Sequence, residues 1–172
     1  MITIRSARQD EAASLAEIGL KAWESAMSMI EDSSVLREAA EAAFLSFTSH
    51  HWLTISVIEE DGIIAGWAAR ERLDETISDF WIDPLWQSRG LGTALLSSLE
   101  ADIRHQGFDT ARLETHARNG AVAFFEKHGY TIHWLTVAYS PKLDRDVETV
   151  GLSKQLDDGG DADLYGATGL LN

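Results

Sequence analysis

The sequence predicts an α/β protein: a mixed, mostly antiparallel sheet of about seven strands with helices on both faces. Three observations carry this. Short apolar runs alternate and are closed by Gly, Asp and Pro, as strands are. Asp61-Gly62 is a hairpin signal between two of them, so the early strands form an antiparallel meander. Later strands alternate with amphipathic stretches, which calls for right-handed crossovers.

The elements follow in order. Met1–Ser6 alternates through Ile2 and Ile4 as a short strand. Asp10 to about Ile30 reads as a helix, with Leu15, Ala16, Gly19, Trp23 and Ala26 on one face. A second helix covers roughly Val35–Phe47. Leu53–Glu59 and Ile63–Arg70 are the hairpin strands, and Thr76–Ile82 is a strand stopped by Asp83-Pro84. A helix from about Gly92 to His105 ends at Gln106-Gly107. Strand Thr110–Thr115, short helix Gly120–His128, and strands Thr131–Tyr139 and Glu148–Lys154 complete the chain.

A chain of 172 residues, 45% apolar and with six tryptophans, has enough material for one cored domain over 1–156. The tail 157–172 is acidic and Gly-rich without a period, and is expected to be disordered. No apolar run is long enough to cross a membrane, and MITIRSARQDE has no signal-peptide core, so a cytoplasmic protein without a membrane partner is expected. There is no cysteine, which excludes disulfides, thiolate metal sites and a thiol acyl-enzyme. The net charge of -14 argues against nucleic acid and favours cationic ligands such as amines, or serves solubility alone. His50, His51, His105, His116, His128 and His133 show no metal-ligand spacing, and no metal is expected.

The stretch "DPLWQSRGLGTALL", Asp83–Leu96, carries the chemistry. Glycine lowers helix propensity, so two of them at a helix start need a reason. The first N–H groups of a helix have no internal partner and carry partial positive charge. Gly90 and Gly92 would let a bulky anion approach them, making the loop a pyrophosphate cradle. It is not a Walker loop, lacking Lys-Ser/Thr after the glycines, nor the dinucleotide fingerprint, lacking the third glycine. The structural alternative is a tight strand–helix turn.

Gln87, Arg89-Gly90 and Gly92 after a strand resemble the acetyl-CoA motif of the GNAT N-acetyltransferases, Gln/Arg-x-x-Gly-x-Gly/Ala. "NGAVAFFEKHGY" resembles the family's second motif, N-x-x-A-x-x-F-Y-E-K-x-G-F, and "KAWESA" its first-helix segment. The resemblance covers roughly Met1–Leu156. It implies the GNAT acyl-CoA N-acyltransferase fold with a splayed strand pair, acetyl-CoA as cosubstrate, and an acceptor that is a small-molecule amine or a peptide N-terminus. It implies that amides from Arg89 through Leu91 to Thr93, flanked by Gln87 and Ser88, hold the diphosphate. Peptide groups of Phe80, Trp81 and Ile82 would pair with the pantetheine arm, with Asn119 and Phe125 at its thiol end. Pairing of late strands between protomers is common in the family, so a homodimer is an expectation.

Acetyl transfer needs a neutral amine, and a lysine-like amine with pKa about 10.4 arrives protonated. A base must take that proton, and a strand N–H can stabilise the oxyanion. Glu114 is the first candidate base, because "LET" looks like the "LEV" in which some members carry theirs; a solvated strand-end carboxylate is the alternative. Asp79 is the second, its strand face left open by the sequence. The family's tyrosine position is Phe125, which has no proton to give; Tyr130, Tyr139 and His116 are candidate substitutes, or the thiolate leaves unassisted. The spacing from Asn119 to Phe124 is one shorter than the family's. Trp23 and Trp134 are candidate acceptor-pocket walls, with core as their default. Phe125 also keeps open a second class, an acyl-CoA-binding or protein-interaction module with little catalysis.

Overall fold

The computed structural model describes residues 1–27, 36–116, 120–140 and 145–156. Seven strands and four α-helices follow in the order β1 Ile2–Ser6, α1 Ala12–Met27, α2 Arg37–His50, β2 Ile55–Glu60, β3 Ile63–Ala69, β4 Asp79–Ile82, α3 Leu91–His105, β5 Thr110–His116, α4 Ala121–Lys127, β6 Thr131–Ser140 and β7 Arg145–Gln155. The expected tail 157–172 and Asn119 lie outside the described residues.

The strands form two sheets, ordered β1-β2-β3-β4 and β5-β7-β6, with antiparallel pairs throughout. The β2–β3 hairpin turns on Asp61 at φ 52 and Gly62 at φ 83, the left-handed pair that matches strand twist. Two apolar layers cover the first sheet. Ile55, Val57, Trp67 and Ala69 pack under α1 and α2 with Leu15, Ala16 and Phe44. Ile58, Ala65 and Ala68 pack under α3 with Leu91, Leu95, Leu96 and Leu99, and this core continues into the second sheet through Leu113, Val150 and Leu152. Trp67 is fully buried, and its Nε1 donates to the Leu15 carbonyl at 2.7 Å, so its one polar atom is satisfied.

Three boundaries among the described residues differ from the sequence pattern by three residues. The strand expected from Thr76 begins at Asp79. Thr76 instead makes an isolated parallel bridge to Arg112: the Ile77 N–H donates to the Arg112 carbonyl at 2.8 Å and the Arg112 N–H to the Glu75 carbonyl at 2.9 Å. The second helix continues past Phe47 to His50, because Thr48 is buried and its hydroxyl donates to the Ala12 carbonyl at 2.8 Å. The last strand extends to Arg145–Gln155, pairing with β6 from Arg145 to Ser153. Among the described residues no helix is long and apolar enough to cross a membrane.

Candidate active site

The site begins where the two sheets part. Beyond the Thr76–Arg112 bridge, no ladder joins Asp79–Ile82 to Leu113–His116 among the described residues. Two strands running side by side without hydrogen bonds between them leave polar backbone edges facing the gap. A groove of about 1360 Å³ runs through this gap, from α1 and α2 at one end to the N-terminus of α3 at the other.

The α3 end is built by the turn after β4. The Asp83 carboxylate accepts from the Leu85 N–H at 3.0 Å and starts the tight Pro84–Trp86 turn. Gln87 then folds back, its Nε2 donating to the Ile82 carbonyl at 3.2 Å. Ser88 stands at φ 64, a left-handed conformation that costs a non-glycine residue of order 1 kcal/mol. The Arg89 guanidinium lies 4.9 Å over the Trp86 ring. Gly90 caps α3 at φ 81 with no side-chain capping bond. The first intrahelical bond runs from the Ala94 N–H to the Gly90 carbonyl at 3.1 Å, so the N–H groups of Leu91, Gly92 and Thr93 precede the ladder.

The two glycines do different work. A Cβ on Gly90 would meet nothing within 4 Å, so the turn is open on that side. A Cβ on Gly92 would lie 3.3 Å from Phe124 Cζ, so that glycine lets α4 pack against α3. Gly92 therefore has a packing reason as well as the anion approach its sequence position suggests.

Strand alternation settles the open faces. Asp79 and Trp81 point toward α1 and α2: Trp81 Nε1 donates to Asp79 Oδ1 at 3.1 Å, and the indole meets Phe44 edge-on at 5.1 Å. Phe80 and Ile82 point toward α3 and α4. Phe80, Phe124 and Phe125 form an aromatic floor with centroids 5.1–5.6 Å apart. Trp81 therefore packs its side chain toward α1 and α2, while the peptide groups of Phe80 and Ile82 face the gap.

Asp79 and Glu114 line the groove from opposite strands. Glu114 is exposed and lies in a cross-strand row with Gly151 and Trp134. The Trp134 indole lies directly over Gly151, where any Cβ would collide with it. Trp23, Ala26, Ala40, Phe44 and Phe47 wall the far end of the groove. Among the described residues no His, Asp and Glu group is placed to hold a metal ion.

The model of the Acetyltransferase (GNAT) family matches residues 17–130. The chain belongs to the GNAT family of acetyltransferases. Its reaction is N-acetylation with acetyl-CoA as cosubstrate, and the open cradle at Gly90 with its unpaired amides fits a diphosphate group. The [ribosomal protein bS18]-alanine N-acetyltransferase of Escherichia coli strain K12 is 30% identical over 107 residues, covering 61% of this chain and 72% of that protein. The solved structure of the ribosomal-protein-S18-alanine N-acetyltransferase from Escherichia coli superposes with TM-score 0.67 at 23% identity, covering 91% of this chain and 95% of that one. The PaiA N-acetyltransferase from Thermoplasma acidophilum in complex with coenzyme A superposes with TM-score 0.72 at 15% identity, covering 90% and 99%.

Within this GNAT acetyltransferase the sequence-predicted residues divide. Asp79, Phe80, Trp81, Ile82, Gln87, Ser88, Gly90, Gly92, Thr93, Glu114 and Phe125 all line the one groove. Tyr130 does not. It is buried at 2% exposure beneath Phe125, and its hydroxyl donates to Glu100 Oε2 at 2.8 Å. Burial, followed by the Glu100 charge and hydrogen bond, holds the phenol well above its usual range. Lys154 Nζ pairs with the other Glu100 oxygen at 3.1 Å. Tyr130 belongs to a buried polar cluster behind the floor, which corrects its candidacy as the proton donor. Tyr139 is 58% exposed on β6.

The sequence reading missed the role of His128. Its Nε2 lies 2.9 Å from Thr93 Oγ1, its Nδ1 2.8 Å from the Phe124 carbonyl, and its ring 4.5 Å from that of Phe124. The second motif places it one turn from Phe124, but only the fold brings it to the cradle.

Proposed function

We propose that this protein acetylates the N-terminal amine of a peptide whose first side chain is small and apolar, by direct attack within a ternary complex. The observation that carries this reading is the continuity of the groove. It joins the unpaired amides at Leu91–Thr93, the parted strands, and a wall of Trp23, Ala26, Ala40 and Phe44. The acceptor end holds two carboxylates at the gap and is otherwise mostly apolar or small, which suits one ammonium on an apolar body. A curated relative that acts on an alanine N-terminus supports the same class.

The residues divide the chemistry as follows. Amides at the start of α3 hold the diphosphate. Free backbone edges of β4 take the pantetheine as an added strand. The Ile82 carbonyl is held back from that pairing by Gln87, so the cradle residue Gln87 must swing away or the arm must bond at Phe80. Glu114 takes the ammonium proton, directly or through a water, and Asp79 holds the amine from the opposite strand. The neutral amine attacks the thioester carbonyl, the C–S bond breaks, the sulfur leaves as thiolate, and the second proton of the attacking nitrogen passes to solvent or to that thiolate. The family motif has its tyrosine at the position of Phe125, which has no proton to give, so departure proceeds without that donor; a thiolate is a far better leaving group than an alkoxide.

The test is a thiol-release assay with acetyl-CoA over short peptides. Peptides beginning with Ala or Gly should turn over, while those beginning with Asp or Lys should not. Binding of CoA with no turnover on any amine would instead favour a non-catalytic module.

A further inference from the structure

The Thr93–His128 pair has a polarity that the cradle reading does not by itself require. A carbonyl oxygen only accepts, so the 2.8 Å contact between His128 Nδ1 and the Phe124 carbonyl puts a proton on Nδ1. In the neutral ring Nε2 is then an acceptor. The 2.9 Å contact is therefore made by the Thr93 hydroxyl donating to Nε2. Thr93 is the third residue of α3, and its N–H is one of the unpaired amides. Its single hydroxyl proton is thus turned away from the cradle, and an anion would meet oxygen lone pairs.

A second proton on the ring reverses this. Nε2–H donates to Thr93 Oγ1, and the hydroxyl proton becomes free to donate to a phosphate oxygen. Imidazole is the side chain that gains a proton between about pH 5 and 8. Among the described residues the ring nitrogens of His128 contact only Thr93 and Phe124. The charged and titratable groups on the elements around it are Lys127 and Glu126 on α4, Arg89 ahead of α3, Glu100, Asp102, Arg104 and His105 on α3, and Lys154 of β7, which pairs with Glu100. The groove carboxylates Asp79 and Glu114 sit on β4 and β5.

We propose that His128 is a positioning residue for the diphosphate, and that its capture draws one proton from solvent onto Nε2, with the Thr93 hydroxyl relaying the new donor to phosphate. This rests on the reading that the start of α3 holds the diphosphate.

The test is calorimetry with dephospho-CoA. A phosphate monoester titrates near about pH 6, which would mask the effect in CoA itself; dephospho-CoA has none. The wild-type protein should bind about fivefold tighter at pH 6 than at pH 8, below the ceiling of tenfold per unit for one proton. Buffers of different ionisation enthalpy should report uptake of about half a proton at pH 7. His128→Asn should bind with affinity constant to about twofold across that range. Thr93→Ser, which keeps the hydroxyl, should retain the wild-type slope, and Thr93→Val should lose it. These last two variants keep the test open should His128→Asn fold poorly. A pH-independent wild-type affinity without proton uptake overturns the proposal, as does a full slope in His128→Asn or Thr93→Val. Each of those leaves the cradle standing. Absence of any binding of CoA or dephospho-CoA by the wild type overturns the cradle and this proposal together.

Discussion

Thr76 and Arg112 form the isolated parallel bridge at which the two sheets meet, and everything the site does depends on the strands parting just beyond it. Asp79 lies three residues past Thr76 and Glu114 two past Arg112, so the candidate acid–base groups stand at the root of the opening. The bridge fixes where the gap starts. The β3–β4 ladder fixes its near wall.

That ladder is tight at one point, which yields the first prediction. A Cβ on Gly66 would fall 2.7 Å from the Trp81 carbonyl oxygen and 3.2 Å from the Ile82 Cα. Backbone atoms cannot yield as side-chain ends do. Gly66→Val should push β4 from β3 and cost about 1–3 kcal/mol of stability, as overpacking does. Chemical denaturation reads the cost, and a matching loss of CoA affinity reads the displaced wall.

Gly90 tests the cradle locally. At φ 81 an L-residue pays about 1–2 kcal/mol of backbone strain. A valine side chain would also project into the open space at this turn. Gly90→Val should weaken CoA binding by tenfold or more, on the order of 1.4 kcal/mol. An unchanged Kd in a folded variant would move the diphosphate elsewhere.

Glu114 is exposed on its strand, so its substitution should leave the fold intact. Glu114→Gln should change stability by no more than about 0.5 kcal/mol and lower kcat by about 100-fold or more. CoA affinity should stay put, and the acid limb of the pH–rate profile should change shape. Equal rates at every pH would pass the role to Asp79, through Asp79→Asn.

Tyr130 separates structure from chemistry. Tyr130→Phe removes the hydroxyl that meets Glu100 inside the molecule. Stability should fall by about 1–3 kcal/mol, since Glu100 loses a buried partner. The catalytic rate should not move. The folded phenol is held above its usual range, so its contribution is whole below about pH 10 and fades as pH rises further, where the unfolded chain ionises first. Thermal unfolding from pH 8 to 11 should show that decline in the wild type and less of it in the variant.

Much of the fold was legible because local chemistry agreed with the global arrangement. Asp61-Gly62 announces a hairpin turn and forms one. Pro84 stops the ladder and Gly90 opens a helix. The α3 stripe of Leu91, Leu95, Leu96 and Leu99 is buried as its spacing demands. What was not legible was non-local. Thr76–Ser78 has the composition of strand, yet Arg112 captures it from 36 positions away. Asp79 and Trp81 share a face by alternation, but which layer that face meets is set by pairing with β3 and packing on Phe44. Tyr130 reads as a groove residue until Glu100, thirty positions earlier, claims its hydroxyl. His128 reads as the end of a short helix, and packing alone carries it to Thr93.

The most direct test of the cradle is the response of the α3 amides to ligand. In an amide-resolved NMR titration with CoA, the N–H signals of Leu91, Gly92 and Thr93 should move downfield together as they gain phosphate partners, and pantetheine, which lacks the diphosphate, should leave them in place. Saturation by CoA with those three signals unmoved would contradict the account.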